Sequence, residues 1–141
     1  MATMTSLDAL ILVPGDLVAP GLESAASGHD WPIVKSQPLR PLLREVAARR
    51  PRLVVVQVGP PLHDAVDLIE RIKEHWPGLI LVAAAVAHHE QIEMAARYAG
   101  ATLYLPDVSD GAYVEQSIAS LLDPKPMTLS DPSVSNLSRT G

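Results

Sequence analysis

Short apolar runs alternate along this chain with amphipathic stretches, and this alternation restricts the possible folds more than any other feature. Three runs are almost entirely apolar: ALILV at 9–13, LVVVQV at 53–58 and LILVAA at 79–84. Shorter runs lie at 32–34 and 102–105. Strands that are apolar on both sides are typical of parallel sheets covered by helices on both faces. The sequence therefore predicts an α/β protein built on five parallel strands.

The stretches between the runs predict helices with one apolar face, at 37–50, 64–75, 90–99 and 110–122. Asp64 and Asp110 are expected to cap the helices that they precede. The stretch 16–28 contains Pro20, Gly21 and Gly28 and few large apolar residues, and predicts only a short or irregular helix. Five such strand and helix pairs are commonly arranged as a flavodoxin-like, doubly wound sheet with strand order 2-1-3-4-5.

The 141 residues suit a single domain, which we expect to cover 1–122. From residue 123 onward the sequence DPKPMTLSDPSVSNLSRTG is rich in Pro and Ser and has no apolar period. This composition predicts a flexible tail or linker at 123–141. An output domain beyond residue 141 is one possibility, and the sequence leaves it open.

Charge and composition exclude several classes of function. A net charge of −5 argues against direct nucleic-acid binding by this domain. The absence of cysteine excludes disulfides, thiol nucleophiles and thiolate zinc sites, and it suits a cytoplasmic protein. No apolar stretch has the length of a membrane span, so no membrane contact is expected. The one basic concentration, Arg49-Arg50-Pro51-Arg52, is interpreted as a solvated helix end, with contact to an acidic partner as the alternative.

In a doubly wound sheet the functional crevice lies at the carboxyl ends of the strands. The residues predicted there are Pro14, Gly15, Asp16, Gln57, Ala85 and Asp107. Phosphoryl transfer with Mg²⁺ needs clustered carboxylates, a nucleophilic oxygen and a cation, and this set supplies too few of them. We therefore expect a domain that is not an enzyme and holds no cofactor. Gln57 is expected to hydrogen-bond to neighbouring loops, reaching Asp107 or Asp16.

Two histidine clusters have a functional and a plain interpretation. His88 and His89, beside Glu90, could bind a metal ion, but adjacent loop residues rarely point to one centre, so a solvated loop before a helix is preferred. His63 and Asp64 could form a general base with its orienting acid, but a capping role of Asp64 is preferred. No metal site is expected.

From residue 51 to residue 122 the chain resembles the receiver (CheY-like) domains of two-component response regulators. The resemblance rests on PRLVVVQVGPPLHDAVDLIERIKEHWPGLILVAAA, on ARYAGATLYLPD and on the amphipathic helix that follows. Ala99-Gly100-Ala101, Pro61 and Asp64 fall in the register of the family without gaps. The resemblance implies a signal-transduction module of the kind found in phosphorelays.

The same resemblance implies that the residues of phosphorylation have been replaced. Gln57 stands at the position of the phosphoacceptor aspartate, and Pro14 and Gly15 stand at the position of the acidic pair that binds Mg²⁺, with Asp16 one residue late. Ala85 corresponds to the hydroxyl residue after the fourth strand, and Asp107 to the lysine after the fifth. The chain is therefore identified as a degenerate pseudo-receiver that lacks the phosphoacceptor.

In this family such domains signal through protein contacts, phosphate-independent dimerisation or, occasionally, a bound small molecule. The resemblance thus implies a non-catalytic, phosphorylation-independent module that associates with a protein partner or with itself as a homodimer. The candidate contacts are Ile92, Glu93, Arg97, Tyr104, Tyr113 and Gln116, with Tyr104 at the place of the family's switch aromatic. The alternative is a small-molecule sensor that uses the emptied crevice, alone or as the amino-terminal part of a longer regulator with a nucleic-acid-binding output.

Overall fold

The structure is a computed structural model that describes residues 7–36, 38–59 and 62–122. The elements are β1 (Ala9–Val13), α1 (Pro20–His29), β2 (Ile33–Lys35), α2 (Arg40–Arg49), β3 (Leu53–Val58), α3 (Leu62–His75), β4 (Ile80–Ala85), α4 (Glu90–Ala99), β5 (Leu103–Leu105) and α5 (Gly111–Leu122). The tail predicted at 123–141 lies outside the described residues. In the part of the chain that is described, no helix has the length and apolarity needed to cross a membrane.

The five strands form one parallel sheet in the order β2-β1-β3-β4-β5. β1 pairs with β3 from Ala9 opposite Leu53 to Leu12 opposite Val56, and β3 pairs with β4 along its whole length. β3 is therefore the central strand, while β2 and β5 are the edges. The predicted fold class, an α/β doubly wound sheet with this strand order, is confirmed.

The sheet separates two apolar layers. On one face α1 and α5 cover Ile11, Val55 and Leu105. On the other face α2, α3 and α4 cover Leu10 and Val54, among others. Because successive side chains of a strand point to opposite faces, every residue of β1 is buried on one side or the other. This double burial explains the continuous apolar runs.

The first helix is regular, so the prediction of a short or irregular helix at 16–28 is wrong. Pro20 occupies the first position of α1, where its missing N–H is not needed. Gly21 is buried with its Cα against the carbonyl group of Val108, so glycine here permits close packing instead of interrupting the helix. The helix ends at Asp30, which has φ 57° and donates its backbone N–H to the carbonyl of Ala26.

The ends of several other elements differ from the prediction by one to three residues. β2 and β4 begin one residue later than predicted, β5 begins at Leu103, and α2 begins at Arg40, after the proline at 38. α3 is described from Leu62, two residues before the helix start that the sequence predicts, so Asp64 lies inside its first turn. Asp110 does cap α5, because its Oδ1 accepts a hydrogen bond from the N–H of Ala112 at 3.0 Å.

Candidate functional site

The carboxyl ends of the central strands border a cleft of about 680 Å³. Its lining includes the predicted crevice residues Pro14, Gly15, Asp16 and Gln57. The other two predicted residues lie elsewhere: Ala85 is buried at the end of β4, and Asp107 is exposed after β5. Four of the six predicted crevice residues therefore share one cleft.

Gln57 holds the loop between β1 and α1 by both ends of its side-chain amide. Its Oε1 accepts a hydrogen bond from the backbone N–H of Ala19 at 2.8 Å, and its Nε2 donates to the carbonyl oxygen of Leu17 at 2.8 Å. Ala19 immediately precedes α1, so the amide oxygen satisfies one N–H at the start of that helix. If the amide were reversed, its NH₂ group would face the N–H of Ala19 and its oxygen would face the carbonyl oxygen of Leu17. Neither hydrogen bond could then form, so the two partners determine the orientation of the amide.

The sequence-based expectation for Gln57 is confirmed in part. The side chain does bond to a neighbouring loop, but its partners are backbone atoms, and neither Asp107 nor Asp16 takes part. Asp107 instead accepts a hydrogen bond from the backbone N–H of Ser109 at 3.0 Å and so stabilises the turn after β5. The backbone partners carry no sequence signal, because any residue supplies them.

The cleft carries one exposed carboxylate and no basic side chain among the described residues that line it. Asp16 is exposed, and the other side chains at the rim include Leu17 and Val86, which are 85% and 45% exposed. Across residues 7–36, 38–59 and 62–122, no three His, Asp or Glu side chains gather closely enough to hold a metal ion. The walls of the cleft are thus largely apolar or made of backbone.

Tyr104 lies inside the protein, on the α4 side of the sheet, with only 5% of its surface exposed. Its hydroxyl is 3.0 Å from Nδ1 of His88, and the two rings meet edge-on at a centroid distance of 5.7 Å. Burial raises the pKa of Tyr104; a hydrogen bond with the backbone of His89 and the charge of Arg97 oppose this rise, and the charge of Glu93 adds to it. Tyr104 is therefore not a surface contact residue in this conformation.

The remaining histidines near helix starts have ordinary structural roles or none. His89 precedes α4, and its Nδ1 accepts a hydrogen bond from the backbone N–H of Gln91 at 3.2 Å. The preferred interpretation of this segment as a loop before a helix is confirmed. His63 is exposed, with Nε2 at 3.5 Å from Oδ1 of the adjacent Asp64.

The surface formed by α4, β5 and α5 carries the other predicted contact residues. Arg97 and Gln116 are exposed, and Tyr113 is 37% exposed. Ile92 and Glu93 are half-buried, and Oε2 of Glu93 lies 2.9 Å from Nε of Arg97. Five of the six candidates therefore reach this surface at least in part.

Sequence reasoning missed two large exposed side chains on α4. Met94 is 67% exposed and Tyr98 is 93% exposed, and they lie one helical turn apart. They are out of phase with the buried positions Ala96 and Ala99, so helical periodicity could have found them.

No protein-family model and no curated protein matches the chain. Solved structures do match it. The receiver domain protein (CheY-like) of Methanospirillum hungatei JF-1 aligns with a TM-score of 0.66 and 16% identity over 84% of this chain and 95% of that chain. The CheY-like protein TadZ of Pseudomonas aeruginosa PAO1 gives a TM-score of 0.61 and 19% identity over 88% and 100%.

An orphan response regulator of H. pylori aligns with a TM-score of 0.59 and 20% identity over 81% of this chain and 96% of that chain. At identities of this size the similarity concerns the fold. The chain therefore has the five-stranded α/β fold of response-regulator receiver (CheY-like) domains.

Proposed function

We propose that the chain is a receiver-like signalling module that works through protein association and does not use aspartyl phosphate. The observation that carries this proposal is Gln57 at the end of β3. An aspartyl phosphate forms on a carboxylate, and an amide offers none. Both polar atoms of this amide are already hydrogen-bonded to the loop before α1.

The surroundings of Gln57 support the same conclusion. A phosphoryl group brings about two negative charges, which receivers balance with Mg²⁺ and a basic side chain. Here the described cleft residues include the carboxylate of Asp16 and no Lys or Arg. Asp107, at the place of the family's lysine, adds a further negative charge after β5 instead of a positive one.

Treatment with Mg²⁺ and a small phosphodonor tests this proposal. We expect the intact mass to stay unphosphorylated, and Mg²⁺ with beryllofluoride to leave the ¹⁵N–¹H signals of Gln57 and Leu17 unmoved. A competent receiver domain treated in parallel is the positive control. Gln57→Asp is the matched variant. It should also stay unmodified, because the described residues of the cleft still include no basic side chain to balance the charge of a phosphoryl group. A phosphorylated wild-type species, or a saturable shift around Gln57, would contradict the proposal.

The association surface that we propose is the one made by α4, β5 and α5. Its exposed members Arg97, Tyr113 and Gln116 come from two helices beside an edge strand of three residues. We expect a concentration-dependent mass in sedimentation or light scattering, as for a homodimer. Tyr113→Ala with Gln116→Ala should weaken this association, whereas His63→Ala, at an exposed site on α3, should not. A dimer that survives the double substitution would place the contact elsewhere.

A small-molecule sensor is the second candidate, and the cleft favours it. Ligand pockets commonly measure about 300–1,000 Å³, and this cleft of about 680 Å³ has a partly apolar lining. A set of small apolar fragments, observed by NMR, tests this function, with Leu17→Ser as the variant at the rim. If none of the fragments shifts the signals of Gln57 and Val86 saturably, this second function is contradicted. In a longer regulator, either mode would act on a nucleic-acid-binding output.

A further inference from the structure

Basic residues are concentrated in one short part of this acidic chain. Six of its eleven Lys and Arg residues lie between positions 35 and 52, where the only acidic residue is Glu45. These six are Lys35, Arg40, Arg44, Arg49, Arg50 and Arg52. Most of them belong to β2 and α2, at the edge of the sheet opposite to β5. The chain thus has a basic edge although its net charge is −5.

Two of these arginines already have partners. Nε of Arg49 lies 2.5 Å from Oε1 of Glu45, and Arg52 donates to the carbonyl oxygen of Leu122 at 2.7 Å. The other four basic residues are exposed and form no ion pair with any residue of 7–36, 38–59 or 62–122; they are Lys35, Arg40, Arg44 and Arg50. Their charges are therefore available to an acidic partner.

A groove of about 310 Å³ between α2 and α3 lies beside these charges. Leu39 and Leu43, both half-buried, form its apolar part, and Arg40 lines it from α2. Arg71 lines it from α3, with its Nε at 3.1 Å from Oδ2 of Asp67. Asp67 lines the groove as well, so the charge of Arg71 is already paired there. The groove therefore offers an apolar floor with the unpaired guanidinium group of Arg40 on the α2 side.

We propose that this α2 surface, made of Arg40, Arg44, Leu39 and Leu43 beside the ion pair of Arg71 and Asp67, binds an acidic, partly apolar peptide segment of a partner protein. Guanidinium groups bind carboxylates in a planar, two-bond geometry, and the leucines accept an apolar side chain of the same segment. Arg40 and Arg44 are one helical turn apart, which is about 6 Å along the axis and suits acidic residues one turn apart. The surface is separate from the one formed by α4, β5 and α5.

The surroundings favour a protein partner over a nucleic acid or a lipid surface. No aromatic side chain lines the groove to stack on a base, and a polyphosphate backbone has no apolar group to place against Leu39 and Leu43. An anionic membrane would meet the charges of Arg40 and Arg44, but the half-buried Leu39 and Leu43 cannot insert into it. An acidic peptide with one or two leucines matches both the charge and the apolar floor.

Titration of the ¹⁵N-labelled full chain with a synthetic peptide tests the proposal. The probe is a blocked peptide of about ten residues in which leucines are flanked by glutamates. We expect saturable shifts confined to 38–49 and the signal of Arg71. Arg40→Glu with Arg44→Glu should weaken binding about tenfold, because it reverses two charges at the contact. Lys73→Glu is the matched control, because the side chain of Lys73 lies against Gly100 and outside the groove. It should change binding less than about twofold.

A probe with lysine in place of glutamate should not bind, and one with serine in place of leucine should bind more weakly. Arg40 and Arg44 are exposed and unpaired among described residues, so the double variant should fold; circular dichroism checks this, and Arg40→Ala with Arg44→Ala is the milder substitute. Absence of a saturable shift at 38–49, or unchanged binding by the variant, overturns the proposal. Tighter binding of duplex DNA or of anionic phospholipid vesicles at the same residues overturns it as well. The proposal is also overturned if no peptide binds and the double variant instead abolishes a self-association of the protein.

Discussion

Replacing Gln57 with alanine removes both hydrogen bonds that hold the β1–α1 loop to the end of β3. The bond to Leu17 is solvent-exposed and should contribute about 0.5–1 kcal/mol. The bond from Ala19 is part-buried and matters more, because its N–H at the start of α1 would lose its acceptor, which costs about 1–3 kcal/mol. We therefore expect the free energy of unfolding to fall by about 1.5–4 kcal/mol.

Urea unfolding followed by circular dichroism measures this loss. For a domain of this size, with a slope of about 1.5 kcal/mol per molar urea, the midpoint should fall by about 1–3 M. Amide exchange adds a local measurement: exchange of the Ala19 amide should accelerate more than that of Val55, in the central strand. Gln91→Ala is the control, because Gln91 is exposed and its side chain bonds to no described residue; its effect should stay within about 0.5 kcal/mol.

A loss below about 0.5 kcal/mol for Gln57→Ala would refute the reasoning. It would mean that the loop keeps its conformation without the side chain, or that Ala19 finds another acceptor. An equal loss in Gln57→Ala and Gln91→Ala would refute it too, since the effect would then not depend on the two bonds.

Two further predictions concern packing and pH. Gly21→Ala should destabilise the protein by about 2 kcal/mol or more, because a Cβ would overlap the carbonyl oxygen of Val108. Gly28→Ala, in the same helix with open space around it, should instead stabilise by about 0.5 kcal/mol; urea midpoints of the two variants must move in opposite directions. Burial raises the pKa of Tyr104 in the folded protein, while an unfolded tyrosine loses its proton near about pH 10. The free energy of unfolding should therefore fall as pH rises above about 10. Tyr104→Phe should reduce this fall between about pH 9 and pH 11. Equal falls in the wild-type protein and the variant would disprove the role of Tyr104 ionisation.

The sheet could be predicted from the sequence because double burial leaves a clear pattern. β1 is apolar throughout and β3 is apolar except for Gln57, and their predicted ends agree with the structure. The edge strand β2 is shorter and only half-buried, so its apolar pattern is weak and its predicted position is one residue off. Burial on both faces thus made the strands recognisable, although β4, which is also buried on both faces, lies one residue from its predicted position.

The features that could not be predicted depend on contacts between distant parts of the chain. The regularity of α1 depends on Gly21 meeting Val108, and no local pattern contains that contact. The residue type of Gln57 is evident from the sequence, but its partners are the backbone groups of Leu17 and Ala19. Their position depends on the conformation of a loop. The burial of Tyr104 likewise follows from which face of β5 meets α4, and a three-residue strand does not reveal this.

The strand order has a consequence for the valency of the molecule. β2 and β5 are the two edges, so a partner bound near α2 and a partner bound near β5 are separated by four strand spacings, or about 19 Å. The two surfaces share no residue, so a peptide segment bound at one does not cover the other. A chain that uses both edges would serve as an adaptor: it would hold two proteins side by side and raise their effective concentration toward each other without any chemistry of its own.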